Sequence, residues 1–118
     1  MINVKDQVYA VIKDLTENVG DSYPRDWGTL PAIQYCEEEN KVYEYTDNEE
    51  QSAYVRFRFD IWNNTTTSDM AVQLDNCVSQ LGLKRTQCTD VEDPSGLKHK
   101  QMRYEGIIDV STFFVNHA

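Results

Sequence analysis

The run from Tyr54 to Trp62, Tyr-Val-Arg-Phe-Arg-Phe-Asp-Ile-Trp, alternates without a break. Val55, Phe57, Phe59 and Ile61 point one way, while Tyr54, Arg56, Arg58, Asp60 and Trp62 point the other. Period-two alternation of this length specifies a strand with one face in a core and one outside it. A second run has Met102, Tyr104, Gly106, Ile108, Val110, Thr112 and Phe114 on one face. Gln101, Arg103, Glu105, Asp109 and Ser111 lie on the other. Two such strands predict a sheet covered on one side only, with a charged face left for something outside the domain.

Helical spacing occurs twice. Val4, Val8, Val11, Ile12, Leu15 and Val19 predict a first helix over about residues 4–19, with Asn3 as its cap and Gly20 as its left-handed end. Met70, Ala71, Leu74, Cys77, Val78 and Leu81 form a second stripe. Thr67 or Ser68 caps it, Gly82 ends it, and Leu83 makes the closing apolar contact. Between the helices, Ala32–Glu38 reads as strand one, Glu39-Asn40-Lys41 as a tight turn and Val42–Tyr45 as a short strand two. Thr46–Ser52 reads as a mobile polar loop, and Tyr54–Trp62 is strand three. Lys84–Asp90 is a polar strand four near an edge, and Asp93-Pro94-Ser95-Gly96 is a turn. Lys100 to about Val115 is strand five, with a bulge or a close aromatic neighbour expected at Gly106. The expected fold is α+β, in the order α-β-β-β-α-β-β. It is a two-layer sandwich, a mainly antiparallel sheet with two helices on one face, forming a single domain over residues 1–118.

A chain of 118 residues with net charge −9 argues against a nucleic-acid groove, which needs clustered Lys and Arg, and against an anionic membrane surface. No apolar run reaches the length of a membrane span. Cys36, Cys77 and Cys88 are odd in number and contain no Cys-x-x-Cys, and the first residues carry no secretory leader. A reduced, intracellular setting is expected, with the cysteines as small buried hydrophobes.

Four groups of residues merit weighing for function. Glu37, Glu38, Glu39, Glu44, Asp47, Glu49 and Glu50 are an acidic cluster without the spacing of a calcium loop, and read as a solvated or partner-facing surface. Cys88 and His99 would meet across a hairpin, but no third residue is indicated to orient the imidazole, so catalysis is not expected. Arg56, Arg58 and Asp60 lie across the sheet from Arg103, Glu105 and Asp109. They read either as cross-strand ion pairs facing water or as a subunit interface, with Trp62 as an aromatic anchor among arginines. Tyr23 and Trp27, in the loop after the first helix, read as a lid folded over the open end of the core. His117 sits at the terminus, where order is not expected. No catalytic, cofactor-binding or metal-ligating residue is assigned.

Several segments together resemble the tail-completion proteins of long-tailed bacteriophages and prophages, the tail terminators and head-to-tail joining proteins. Leu30-Pro31-Ala32-Ile33-Gln34-Tyr35 is similar to that family's entry into its first strand. Phe57-Arg58-Phe59-Asp60-Ile61-Trp62 is similar to its central strand. Leu74 to Arg85 resembles its second helix and exit, and Met102 to Asp109 its final strand. The resemblance implies a structural protein of virion assembly, with no enzymatic step and no cofactor. It would be made in the bacterial cytoplasm and end in the neck region of the tail. Its partners would be further copies of itself in a ring, often a hexamer, together with the tail-tube protein and a head-completion or neck protein. DNA would pass through the ring without specific binding, and an acidic lumen would suit that passage. Arg56, Arg58, Asp60, Trp62, Arg103, Glu105, Asp47, Glu49 and Glu50 are the expected subunit and partner surface. The rival class is a ferredoxin-like α+β module that binds a small ligand or regulates, with its pocket between sheet and helices.

Overall fold

The computed structural model describes residues 1–109. Helix α1 spans Lys5–Ile12, followed by strands β1 (Asn18–Gly20), β2 (Ala32–Thr46) and β3 (Glu49–Asn63). Helix α2 spans Ser68–Ser79, and strands β4 (Lys84–Val91) and β5 (Lys98–Asp109) close the described chain. The five strands form one sheet in the order β1-β2-β3-β5-β4. The β1–β2 pair is parallel and the other three pairs are antiparallel, so the fold is α+β with a mixed sheet.

The alternation of β3 sets the layers as its sequence demands. Val55, Phe57, Phe59 and Ile61 are fully buried, with Leu74 and Val78 of α2 and Ile108 of β5. Val4, Val8 and Ile12 join the same cluster from the first helix and the residue before it. Phe59 packs edge-on against Tyr104 at 5.5 Å between ring centroids. Tyr104 is fully buried, and its hydroxyl donates to Asp75 Oδ1 on α2 at 2.5 Å. Burial and that carboxylate both push the phenol pKa far up, so the ring stays neutral and ties β5 to α2. Val110, expected in the core, lies outside the described residues, as do the rest of strand five and His117.

Three boundaries differ from expectation. The first helix stops at Ile12, and Val19 and Gly20 belong to β1. Polar side chains take over the backbone there: Thr16 Oγ1 donates to the Pro31 carbonyl at 2.8 Å. Asn18 Nδ2 donates to the carbonyls of Asp26 and Thr29. Val4 stands at the N-cap of α1, and Asn3 just before it accepts the Asp6 N–H on its Oδ1 at 3.3 Å. Strands one and two are a single strand, β2. Glu39-Asn40-Lys41 is not a turn but passes through in extended form, with a register shift between Glu37 and Glu39 that absorbs an extra residue. The reversal falls at Asp47-Asn48, whose φ values of 52° and 62° are those of a two-residue hairpin. Thr46–Ser52 is therefore a paired hairpin tip, with Thr46 opposite Glu49 and Tyr45 opposite Glu50, and not a loop.

The exit of α2 follows the sequence closely. Gly82 has φ +85°, its N–H donates to the Ser79 carbonyl, and Leu83 is buried behind it. Gly106 makes room for that exit. A Cβ there would lie 3.1 Å from Leu83 Cδ2 and 3.4 Å from the Gly82 carbonyl, so the close neighbour is a leucine and a backbone turn, not an aromatic ring.

Candidate interaction surface on the outer sheet face

The face of the sheet opposite Val55, Phe57, Phe59 and Ile61 is organised by Glu38. Registry sets Arg56 of β3 opposite Glu105 of β5 and Asp60 opposite Gln101, but it sets Arg58 directly opposite Arg103. Like charges so placed repel. The Glu38 carboxylate, on β2, offsets this by accepting from two guanidinium groups and pairing with a third. Arg56 Nε and Arg103 Nε reach its Oε1 at 3.2 and 3.1 Å, and Arg58 Nη1 lies 3.5 Å from its Oε2. Partial burial pushes the Glu38 carboxyl up, yet Arg103, Arg56 and Arg58 outweigh it and hold the group below the usual carboxylate value. The sequence places Glu38 in an acidic cluster that reads as a solvated or partner-facing surface. The signal it lacked was the bulge between Glu37 and Glu39, which determines which of three consecutive glutamates faces the arginines. The ion-pair reading of the outer face is thus present in the geometry, with β2 supplying the anion. Asp109, expected across from these residues, pairs instead with Ser52. Glu105 accepts a hydrogen bond from the Tyr54 hydroxyl at 2.5 Å.

At the other end of the same face the chain covers itself. Trp62 is 3% exposed. Its ring stacks on His99 at 4.5 Å and meets Trp27 and Tyr23 edge-on at 5.4 and 5.7 Å. The indole Nε1–H donates to Asp93 Oδ1 at 3.2 Å. Trp62 is therefore satisfied within its own chain and does not stand out as an anchor, because the loop carrying Tyr23 and Trp27 folds over the outer face at this point. That loop is held by Asp26, which accepts from the Gly28 N–H and the Thr29 hydroxyl. The lid exists, but it covers the outer face and not the mouth of the main core. Asp60 is 4% exposed beneath it, accepting from Arg58 Nε at 2.9 Å and Gln101 Nε2 at 3.2 Å, with His99 Nε2 at 2.8 Å.

This arrangement separates the proposed cysteine–histidine pair. Cys88 is opposite the buried Met102, on the core side of the sheet, whereas His99 is opposite Trp62 on the outer side. Cys88 is also exposed, and Cys36 and Cys77 are half-buried, so none of the three is the fully buried hydrophobe expected. The His99 imidazole does have an orienting carboxylate, Asp60, but no nucleophile beside it. Its Nδ1 is buried without a hydrogen-bond partner, 3.7 Å from Asp93 Oδ1. An open cleft of about 660 Å³ reaches this ring, lined among others by Thr65, Thr66, Ser68, Asp90 and Asp93. Among the described residues no group of His, Cys, Asp and Glu side chains has the arrangement of a metal site. No helix of the described residues is long and apolar enough to cross a membrane.

The β2–β3 hairpin is the other exposed feature. Residues 41–49 are all exposed, and Val42, Tyr43 and Tyr45 show half or more of their surface. Asp47 and Glu49 stand at its tip without an ion pair among the described residues. Glu50 differs from them: its carboxylate lies 2.9 Å from the N-terminal ammonium and is 12% exposed. Of the candidate partner-facing residues, then, Arg56, Arg58 and Arg103 form one half-buried charged network around Glu38, and Glu105 is held by the Tyr54 hydroxyl. Asp47 and Glu49 project on the arm, while Asp60, Trp62 and Glu50 are engaged inside the chain. In comparison with known proteins, the chain matches no family model and no curated sequence.

Proposed function

We propose that this chain is a structural protein of bacteriophage or prophage assembly. It forms a ring at the head-proximal end of a tail, ends tube growth and joins head to tail. The observation that carries this reading is the exposed hairpin arm. It presents Val42, Tyr43 and Tyr45 beside carboxylates that have no ion pair among the described residues, on a molecule 52 Å long and 26 by 22 Å across. Aromatic groups set in a polar, protruding element favour a macromolecular partner. In the proposed monomer the two helices form one layer and the sheet the other, in a two-layer sandwich. The Glu38 network leaves a pre-ordered charged face for a neighbour, and the resemblance in β3, α2 and β5 supports the class. Its partners are other copies of the chain, the tail-tube protein and a neck protein. The acid residues Glu44, Asp47 and Glu49 suit a lumen through which DNA passes without being held.

The test is complementation of a virus lacking this gene, with particles viewed by electron microscopy. Restored joining of heads to tails is expected with the native chain, and reduced joining with Arg58→Glu or Arg103→Glu variants that remain folded. Normal particles in the complete absence of the protein would end this reading. A ferredoxin-like ligand-binding role is the second reading, favoured by the cleft at His99 with its unpartnered Nδ1. A small molecule that raises the melting temperature, with the effect lost in His99→Ala, would select it.

A further inference from the structure

Among the described residues both long edges of the sheet are open. Strand β1 covers β2 only from Ala32 to Gln34, so the backbone of β2 from Tyr35 to Thr46 has no strand beyond it among the described residues. At the opposite side β4 pairs, among the described residues, with β5 alone, and its residues are exposed throughout except for the half-buried Gln87. Rows of unpaired N–H and C=O groups on such edges are templates for another strand. The two edges differ in charge. The β2 edge carries Glu37, Glu38, Glu39 and Glu44 against Lys41, whereas β4 begins Lys84-Arg85 and has one acid, Asp90, which is already paired with Lys100 at 2.8 Å.

We infer that the β4 edge of one copy of this chain joins the β2 edge of the next, continuing the sheet from subunit to subunit. Strand direction favours the joint. From β2 through β3 and β5 to β4 every neighbour is antiparallel. The β4 strand therefore runs opposite to β2, and a following copy in the same orientation adds its β2 as one more antiparallel strand. Charge selects the pairing. Joining β2 to β2 would set glutamates against glutamates, whereas β4 against β2 sets Lys84 against them, together with Arg85, which also pairs with Asp75 of its own chain at 3.3 Å. Charged edges and bulges ordinarily keep sheets apart; here the two edges bear opposite signs, which blocks one combination and admits the other. The joint is head-to-tail and so produces a ring where the rotation closes. A single strand-to-strand joint buries less than the roughly 1,000 Å² of a persistent interface. Closure gives every copy two joints, which makes the ring far more stable than any open dimer. This inference rests on the ring reading above for its biological setting, but its geometry is independent of the virus.

The test is zero-length carbodiimide cross-linking of a one-to-one mixture of ¹⁴N- and ¹⁵N-labelled chains at high concentration, read by mass spectrometry. Lys84 has no ion pair among the described residues and is the reporter. Heavy–light links from Lys84 to Glu37, Glu39 or Glu44 are expected. Heavy–light links from Lys84 to Asp90 would mark a twofold β4–β4 joint and overturn the inference. So would oligomers linked only through other faces, or no self-association at millimolar concentration. Lys84→Glu combined with Arg85→Glu should weaken association at least tenfold, and adding Glu37→Lys and Glu39→Lys to the same chain should restore it. Circular dichroism checks that each variant is folded, and the native chain tests the joint without any variant. Edge-to-edge links in a protein that fails complementation would keep this joint and remove the role in virus assembly. Rings joined elsewhere would remove the joint and leave that role standing.

Discussion

Arg58 and Arg103 face one another across β3 and β5, and the carboxylate of Glu38 pairs with both, while Asp60 also pairs with Arg58. Glu38→Gln keeps the shape and removes the charge. It should cost about 1–2 kcal/mol in urea unfolding, in the range of a charge-assisted hydrogen bond with allowance for the more exposed Arg56. The same variant fixes a pH dependence. The Glu38 carboxyl is held below its ordinary value in the folded protein, so its contribution is fully present above the unfolded value, about 4.3. That contribution is lost as pH falls through the lower folded value. Native and Glu38→Gln stabilities should therefore converge on acidification below about pH 4, as read from urea midpoints across that range. On the buried side, Phe59 is fully enclosed between Phe57 and Tyr104. Phe59→Ala should cost about 3–5 kcal/mol, the usual result of emptying an aromatic core site. A loss under 1 kcal/mol would mean that the alternating register of β3 is misassigned.

Among the elements, the β2–β3 hairpin and the α2 exit show opposite degrees of legibility. Gly82 and Leu83 were readable as a helix stop because a left-handed glycine followed by an apolar residue is a local signal. The contact it makes with Gly106 was not readable, since it joins positions far apart in sequence. Gly106→Val should destabilise by about 1–3 kcal/mol by forcing Leu83 and the Gly82 turn outward, measured by chemical denaturation. In the hairpin, Asp47-Asn48 sits at positive φ in a segment so polar that it reads as a loop. Asn48→Gly suits that conformation at lower steric cost and should raise the melting temperature slightly. A drop of several degrees would count against the two-residue turn.

For the molecule as a whole, net charge −9 opposes self-association at long range. Raising ionic strength from about 10 mM to 0.1 M shortens screening from about 30 Å to about 10 Å. Self-association measured by sedimentation should therefore strengthen over that interval, since contacts at a joint are screened less than charges a subunit apart. Weakening across the same range would show that attraction between charged surfaces, not repulsion of the whole, dominates assembly.

By itself the sequence determined the parts governed by local periodicity and local backbone chemistry. These are the buried face of β3, the stripe of α2 with its glycine stop, the Asp93–Gly96 turn and the edge position of β4. Each follows from which side chains recur at two or at 3.6 residues and from which residues tolerate φ above zero. Tertiary structure alone decided what the outer face is. Which glutamate meets the arginines depends on a bulge whose position is fixed by pairing with β3, and Trp62 is hidden by a loop more than thirty residues earlier in the chain. The extent of β2 was likewise decided by its partner strand, which holds Glu39-Asn40-Lys41 extended where composition alone favours a turn. Such features depend on contacts between segments distant in sequence, and residue periodicity carries no record of them.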